Sequence, residues 1–296
     1  MSGMRIGFLG FGEAARAFRA SLAGVHPSAR FVAYDIKLAG DQGAAMRAAM
    51  AAAGVVVAET PAELPQALGG VDWLFSAVTA DQSLLAIRPL LPALGAGPLV
   101  FDINSVSPGR KRETDALVRA TGAGYADMAV MAPALPDGHT TPVLLAGPGG
   151  FAEFLDASGF NWRLAGPEIG QATAIKMCRS VFVKGLEAIT VQALMAAERA
   201  GCREEILASL GGSFPGLGWP DFAAYMFERT LVHGARRAAE MRESAATLAE
   251  LGLSSAIAEA TAAVQELQGQ AGAGCVDAND LPRTIRAALA AQIARG

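Results

Sequence analysis

The stretch "IGFLGFGEAARAF", residues 6–18, decides how this chain is read. An apolar, strand-like run ends in Gly10-Phe11-Gly12, and an alanine-rich helical pattern opens at Glu13. Gly10 permits a tight turn, Gly12 leaves the backbone open to close approach, and Ala15 lets helix and strand pack closely. The free N–H groups at the start of such a helix, with the helix dipole behind them, attract an anion such as a pyrophosphate. The spacing alone is weak evidence. It gains weight from Asp35, which ends the next strand-like run 23 residues after Gly12, where a carboxylate can accept bonds from both hydroxyls of an adenine ribose. The segment therefore predicts a dinucleotide site built from Gly10, Phe11, Gly12, Glu13, Ala14 and Asp35. Asp35 repels a 2′-phosphate and favours NAD, whereas Lys37 offsets that repulsion in part and leaves NADP open.

Working outward, residues up to about 166 alternate β-like runs (4–10, 30–35, 54–58, 71–78, 98–103, 124–130 and 142–147) with helical stretches such as 13–23, 41–53 and 107–121. That alternation predicts an α/β domain, a Rossmann-type doubly wound sheet that is mostly parallel. Ser107-Pro108 reads as a helix N-cap with proline at the first helical position, and Gly122 suits the end of the same helix. From 167 to 296 the strand signal vanishes, and helical runs at 170–200, 203–210, 220–250, 254–268 and 281–294 predict an all-α second domain. Gly269, Gly272 and Gly274 read as a loop.

Composition narrows the function. The chain has 296 residues, 52% of them hydrophobic, and a formal net charge of −4. It has the length for a large core and lacks the basic excess that nucleic-acid binding needs. No window is apolar over 18 or more residues, so no membrane span is expected, and the glycine-rich start is not that of a signal peptide; the expectation is a cytoplasmic protein. Cys178, Cys202 and Cys275 have no CxxC spacing, and His26, His139 and His233 lie far apart. Neither a disulfide framework nor a metal site is expected, and all three cysteines are expected to pack in the core.

Two further stretches carry chemistry. "FDINSVSPG" (101–109) follows a strand and leads into a helix, so it borders the cofactor at the carboxyl ends of the strands. Asn104 offers an amide and Ser105 a hydroxyl, groups that suit a substrate carboxylate or hydroxyl, although the same turn would serve plain helix capping. Val78 and Thr79, in "SAVTADQS" (76–83), are placed under the nicotinamide. "GQATAIKMCRSVFVKG" (170–185) is a helix with a polar stripe of Thr173, Lys176, Ser180, Lys184 and Glu187. Lys184 and Glu187 read as a surface pair. Lys176 sits where a nucleotide-binding domain gives way to a helical one, next to the cleft in which dehydrogenases hold substrates. Hydride transfer to or from an alcohol needs a group that exchanges the hydroxyl proton, and a lysine whose pKa is lowered by desolvation can do it. Trp219, Phe222 and Tyr225, in "GGSFPGLGWPDFAAY" (211–225), are candidate substrate contacts or helix-packing aromatics.

Taken together, these three places resemble the β-hydroxyacid dehydrogenase family, which includes 3-hydroxyisobutyrate and 6-phosphogluconate dehydrogenases. "GFLGFGEAA" is similar to its opening GFIGLGxMG, and "DINSVSP" to its substrate motif D-x-S-[ST]-x-x-P. "GQATAIKMCRS" is similar to its catalytic GxGxxxKxxxN, with Lys176 at the catalytic lysine and Ser180 in place of the usual asparagine. "DMAVMAP" (127–133) departs from DAPVSGG, so carboxylate recognition there must differ. The resemblance implies a small-molecule substrate bound by Asn104 and Ser105, proton transfer by Lys176 with help from Ser180, and a homodimer or higher oligomer formed through the helical domain. It implies an oxidoreductase on a hydroxy acid or its aldehyde or keto form. An imine reductase or an oxidatively decarboxylating dehydrogenase would share the architecture, and a non-catalytic NAD-binding sensor would need the glycine turn without Lys176.

Overall fold

The computed structural model describes residues 3–294, and the chain divides between Lys176 and Met177 into two compact units. The sequence places its boundary after residue 166, where the last strand ends. The helix that follows stays with the first unit as far as Lys176.

In the first unit the described residues form one sheet of β1 (Arg5–Leu9), β2 (Arg30–Tyr34), β3 (Val55–Val57), β4 (Trp73–Ser76), β5 (Leu99–Asp102), β6 (Gly124–Val130), β7 (Val143–Ala146) and β8 (Trp162–Gly166). Their order is β3-β2-β1-β4-β5-β6-β7-β8, parallel throughout except for the antiparallel β6–β7 pair. The helices are α1 (Glu13–Val25), α2 (Gly43–Ala52), the short α3 (Ser83–Ile87) and α4 (Leu91–Leu94), α5 (Pro108–Arg119) and α6 (Ala152–Ala157). The expected α/β architecture is therefore present, and β8 is a strand that the sequence reading did not assign.

Strands covered on both faces need apolar residues at successive positions. In β1, Ile6 and Phe8 enter one buried cluster and Leu9 the other. In β4, Phe75 joins the first and Leu74 the second. Register then stacks aromatic rings across three strands: Phe8 pairs with Phe75 and Phe75 with Phe101, at centroid separations of 5.6 and 5.1 Å. Strands are added to one side of β1 as far as β3 and to its other side from β4 onward, and ligands bind outside the carboxyl ends of the strands at such a switch in order.

The second unit holds the rest of α7 (Gln171–Ala200), then α8 (Arg203–Ser213), α9 (Asp221–Glu250), α10 (Ala256–Ala271) and α11 (Leu281–Ile293). It is all-helical, as expected. Val191, Leu194 and Met195 of α7 pack with Met226, Phe227 and Leu231 of α9 and with Leu281 and Ile285 of α11. Gly269 is no loop residue. It lies in the last turns of α10, where α9 and α10 meet so closely that a Cβ on Gly234 would stand 2.5 Å from the Gly269 nitrogen.

Two other expectations are corrected here. Lys184 and Glu187 are not a surface pair; they are 6% and 1% exposed. Lys184 Nζ lies 2.8 Å from Glu240 Oε2, while Glu187 accepts hydrogen bonds from Arg237 and from Gln265 Nε2. Buried charges need such partners, and α9 and α10 supply them. Conversely, the apolar positions of α7 are not all covered: Ile175, Phe182 and Ile189 are exposed, and so is Cys178, which was expected in the core. Cys202 and Cys275 are half-buried. By length and composition α7 could cross a bilayer, but 56% of its most apolar window is buried within the protein, as in a core helix.

Candidate functional site

The glycine turn leaves β1 with Gly10 at φ +90°, and the Gly10 N–H donates to the Tyr34 carbonyl at 2.8 Å. A side chain at Gly10 would clash, because a Cβ would fall 2.5 Å from the Ala77 carbonyl oxygen. Gly12 is the N-cap of α1 and carries no capping side chain. A Cβ there would meet nothing within 4 Å. The start of a helix with no side-chain cap, beneath open space, fits a dinucleotide pyrophosphate. Glu13 is exposed and Ala14 half-buried at the first helical turn. Phe11 contributes only backbone, since its ring is wholly buried in the core. Its N–H donates to Asp35 Oδ2 at 2.8 Å, and the Lys37 N–H donates to Asp35 Oδ1 at 3.0 Å. Asp35 thus fixes the turn, and each oxygen keeps a second lone pair for a ribose hydroxyl.

Beside this turn, Val78 and Thr79 follow β4, with Val78 half-buried and Thr79 exposed. Asn104 ties the ends of β4 and β5 together. Its Oδ1 accepts the Val78 N–H at 2.7 Å, its Nδ2 donates to Ser76 Oγ at 2.8 Å, and its own N–H donates to Asp102 Oδ1 at 2.9 Å. At 4% exposure it braces the turn, and each end of its amide keeps one further hydrogen-bonding position, the second Nδ2 hydrogen and the second Oδ1 lone pair. Ser107 accepts from the Arg110 N–H and caps α5 as the sequence indicates.

Ser105, in the same turn, meets Lys176. Lys176 Nζ donates to Ser105 Oγ at 2.7 Å. Both side chains are half-buried, so the pair is reachable yet partly withdrawn from water. Thr173 Oγ1 also donates to the Val106 carbonyl at 2.9 Å, fastening the first turn of α7 to this turn. Ser180, the expected helper of Lys176, is 7% exposed, and its Oγ accepts from Lys184 Nζ at 3.1 Å. Trp219 and Phe222, both half-buried, pack edge-to-face at 5.1 Å beside the helical core. Tyr225 is exposed, with the Arg229 guanidinium 5.9 Å from its ring centroid.

Beneath Ser105 and Lys176 lies a group of buried ionisable residues that the sequence reading did not pick out. Asp102, Lys111, Tyr125 and Asp127 are each at most 1% exposed. Lys111 Nζ is 3.0 Å from Asp102 Oδ1 and 3.5 Å from Asp127 Oδ1, and it donates to the Asp102 carbonyl at 2.5 Å. The Tyr125 hydroxyl donates to Asp102 Oδ2 at 2.6 Å, and burial beside Asp102 pushes its pKa well above the ordinary tyrosine value. Asp127 Oδ2 accepts the N–H groups of Gly170 and Thr173 at 3.1 and 3.0 Å. Burial raises the pKa of its carboxyl, against the pull of Lys111. A signal for Lys111 was available: with Pro108, Thr114 and Val118 it lies on the buried face of α5 at helical spacing. Among the described residues no group of His, Cys, Asp and Glu is arranged to hold a metal ion.

Comparison with known proteins places this geometry. A conserved hypothetical protein from Sinorhizobium meliloti is 33% identical, with 98% of this chain and 97% of that one aligned at a TM-score of 0.73. A conserved protein of unknown function, described as structurally similar to 3-hydroxyacid dehydrogenases, is 27% identical over 90% of this chain and 99% of its own, at a TM-score of 0.64. The chain belongs to one family with the Sinorhizobium meliloti protein, and it has the fold of the 3-hydroxyisobutyrate dehydrogenases. The fold is shared with a Mycobacterium tuberculosis 3-hydroxyisobutyrate dehydrogenase studied with L-serine, at 18% identity over 96% of this chain and 99% of that one, with a TM-score of 0.69. Reductive aminases and an imine reductase share it too, at TM-scores of 0.55 to 0.56. A family model described as a domain of unknown function (DUF1932) matches residues 197–268, within the helical unit. No curated protein matches the chain.

Proposed function

We propose that this chain is a nicotinamide-dependent oxidoreductase that interconverts a hydroxy acid and its aldehyde or keto form, with Lys176 as the general acid and base. The observation that carries the reading is the 2.7 Å hydrogen bond between Lys176 Nζ and Ser105 Oγ. It joins an amine to a hydroxyl on a turn that follows a central strand of the sheet, which is where proton transfer at a bound alcohol requires them.

Gly10, Gly12 and the first turn of α1 would hold the dinucleotide pyrophosphate, and Asp35 its ribose, beside Val78 and Thr79. The bound dinucleotide would accept hydride from the alcohol carbon, or return it. In oxidation the neutral Lys176 amine takes the proton from the substrate hydroxyl as the carbonyl forms; in reduction the ammonium gives it back. Ser105 Oγ accepts an N–H from Lys176 and so orients the amine, and its own O–H is free to rotate toward the substrate oxygen. NAD is preferred on the strength of Asp35, with Lys37 close enough in sequence to admit NADP. A non-catalytic sensor would have no use for this amine. An imine substrate already carries its reacting nitrogen and needs no base for a hydroxyl.

The same reading takes the working form as a homodimer. Phe182 and Ile189, 73% and 65% exposed, stand two turns apart along one face of α7. A second copy offering the same face would cover them.

The test is a panel of hydroxy acids, keto acids and cyclic imines assayed with NAD(H) and NADP(H) by the absorbance of the reduced cofactor. Turnover of hydroxy acids without carbon dioxide release is expected. Turnover of imines alone would replace this reading with the reductase one, and carbon dioxide release would add a decarboxylation step.

A further inference from the structure

We propose that Lys111 and Asp127 are positioning residues for Lys176: the buried Asp102–Lys111–Asp127 triad locks the turn carrying Ser105 to the first turn of α7, and so sets where the Lys176 amine stands. The inference rests on the functional reading above for its catalytic meaning, but its geometric content is independent of it.

The connectivity is continuous. Asp102 ends β5 three residues before Ser105, and its register partner on β6 is Asp127. Asp127 accepts the N–H groups of Gly170 and Thr173, which belong to the unsatisfied donors at the start of α7, and Lys176 follows Thr173 by one helical turn. Lys111 lies between the two carboxylates and reaches both. Its ammonium is fully enclosed, and a buried charge of this kind persists only with partners on every side. The Tyr125 hydroxyl and the Asn104 N–H close the remaining positions on Asp102. The ammonium favours the charged form of both carboxyls; without it Asp127, whose pKa burial already raises, takes up a proton and is a weaker acceptor for the two N–H groups of the helix start. None of the four buried groups reaches the surface, so none is placed to touch substrate. Their effect is transmitted through the backbone of the Ser105 turn and of α7.

The test follows the Lys176 amine directly, so that it does not depend on knowing the substrate. Competitive acetylation of the full-length protein, read by peptide mass spectrometry with the exposed Lys37 as internal reference, reports how Lys176 is held. Lys111→Met and Asp127→Ala are expected to raise the labelling of Lys176 about fivefold or more relative to wild type, whereas Asp127→Asn, which keeps an acceptor for the two N–H groups, stays within about twofold. With an active substrate in hand, Lys111→Met should also lose about tenfold in kcat, with cofactor Kd unchanged. If Lys111→Met does not fold, the contrast between Asp127→Ala and Asp127→Asn decides. Folded Lys111→Met and Asp127→Ala proteins that label as wild type, or an Asp127→Asn protein that labels as fast as Asp127→Ala, would overturn the proposal. Altered labelling in a protein that turns over no hydroxy acid would instead remove the functional reading and leave the positioning role standing.

Discussion

Lys176 Nζ and Ser105 Oγ are 2.7 Å apart although 71 residues separate them in the chain. One stands on the first turns of a helix, the other on a turn after a central strand. Every element between them in the fold bears on whether that distance is kept.

The two glycines of the dinucleotide turn should fail in different ways. Gly10→Ala puts a side chain at φ +90° and against the Ala77 carbonyl, so it should cost about 2 kcal/mol or more of stability in urea titrations. Gly12→Ala meets no protein atom and has φ −79°, so the unfolding midpoint should barely change. Its methyl group would occupy the space a pyrophosphate needs, and cofactor Kd should rise about tenfold or more.

Glu187 and Arg237 form a buried ion pair in the helical unit, shared with Gln265. Arg237→Ala leaves Glu187 enclosed and without its cation. The unfolding free energy should fall by about 3–5 kcal/mol, measured by chemical denaturation. A double replacement by apolar residues of similar size should recover most of that loss, because the desolvation of both charges is removed together.

His139 is 2% exposed, with Nε2 on the Ser158 carbonyl at 2.8 Å and Nδ1 on Ser21 Oγ at 2.7 Å. Burial lowers its pKa below the ordinary 6.5. The folded state therefore favours the neutral ring, and its stability contribution is present above 6.5 and is lost as pH falls toward the folded-state value. Urea midpoints should drop between pH 7.5 and 5.5, with a slope from this residue of at most about 1.4 kcal/mol per pH unit. His139→Gln should be less stable at neutral pH and show a flatter profile.

Phe182 tests the assembly. Phe182→Asp changes an exposed ring of α7, so the fold should be retained while the apparent mass in size-exclusion chromatography falls to that of a monomer. An unchanged dimer would move the interface elsewhere.

Much of this was legible in the sequence, for local reasons. The glycine turn, Asp35 at the end of β2 and the Ser107-Pro108 cap are short-range patterns, and the strand and helix runs follow hydrophobic periodicity. Lys176 and Ser105 were each legible from a polar helix stripe and a strand-to-helix turn, but their pairing was not, since 71 residues of separation hide it from any local rule. The roles of Lys184 and Glu187 were misread because Glu240, Arg237 and Gln265, which make their burial tolerable, come from α9 and α10. The bracing bonds of Asn104 were hidden in the sequence for the same reason, because its three internal partners are set by tertiary register. Lys111 shows the opposite case: helical spacing put it on the buried face of α5, but one charge between Arg110 and Arg112 reads as solvated until the carboxylates of β5 and β6 are placed beside it.

The central claim is that the Lys176 amine carries the substrate proton. It is tested most directly by comparing the Lys176→Ala protein with wild type in steady-state turnover of the active hydroxy acid, alongside cofactor affinity by fluorescence titration. In Lys176→Ala, kcat is expected to fall by about a thousandfold while cofactor Kd stays within about twofold. A Lys176→Ala protein that keeps kcat within about tenfold of wild type would contradict it.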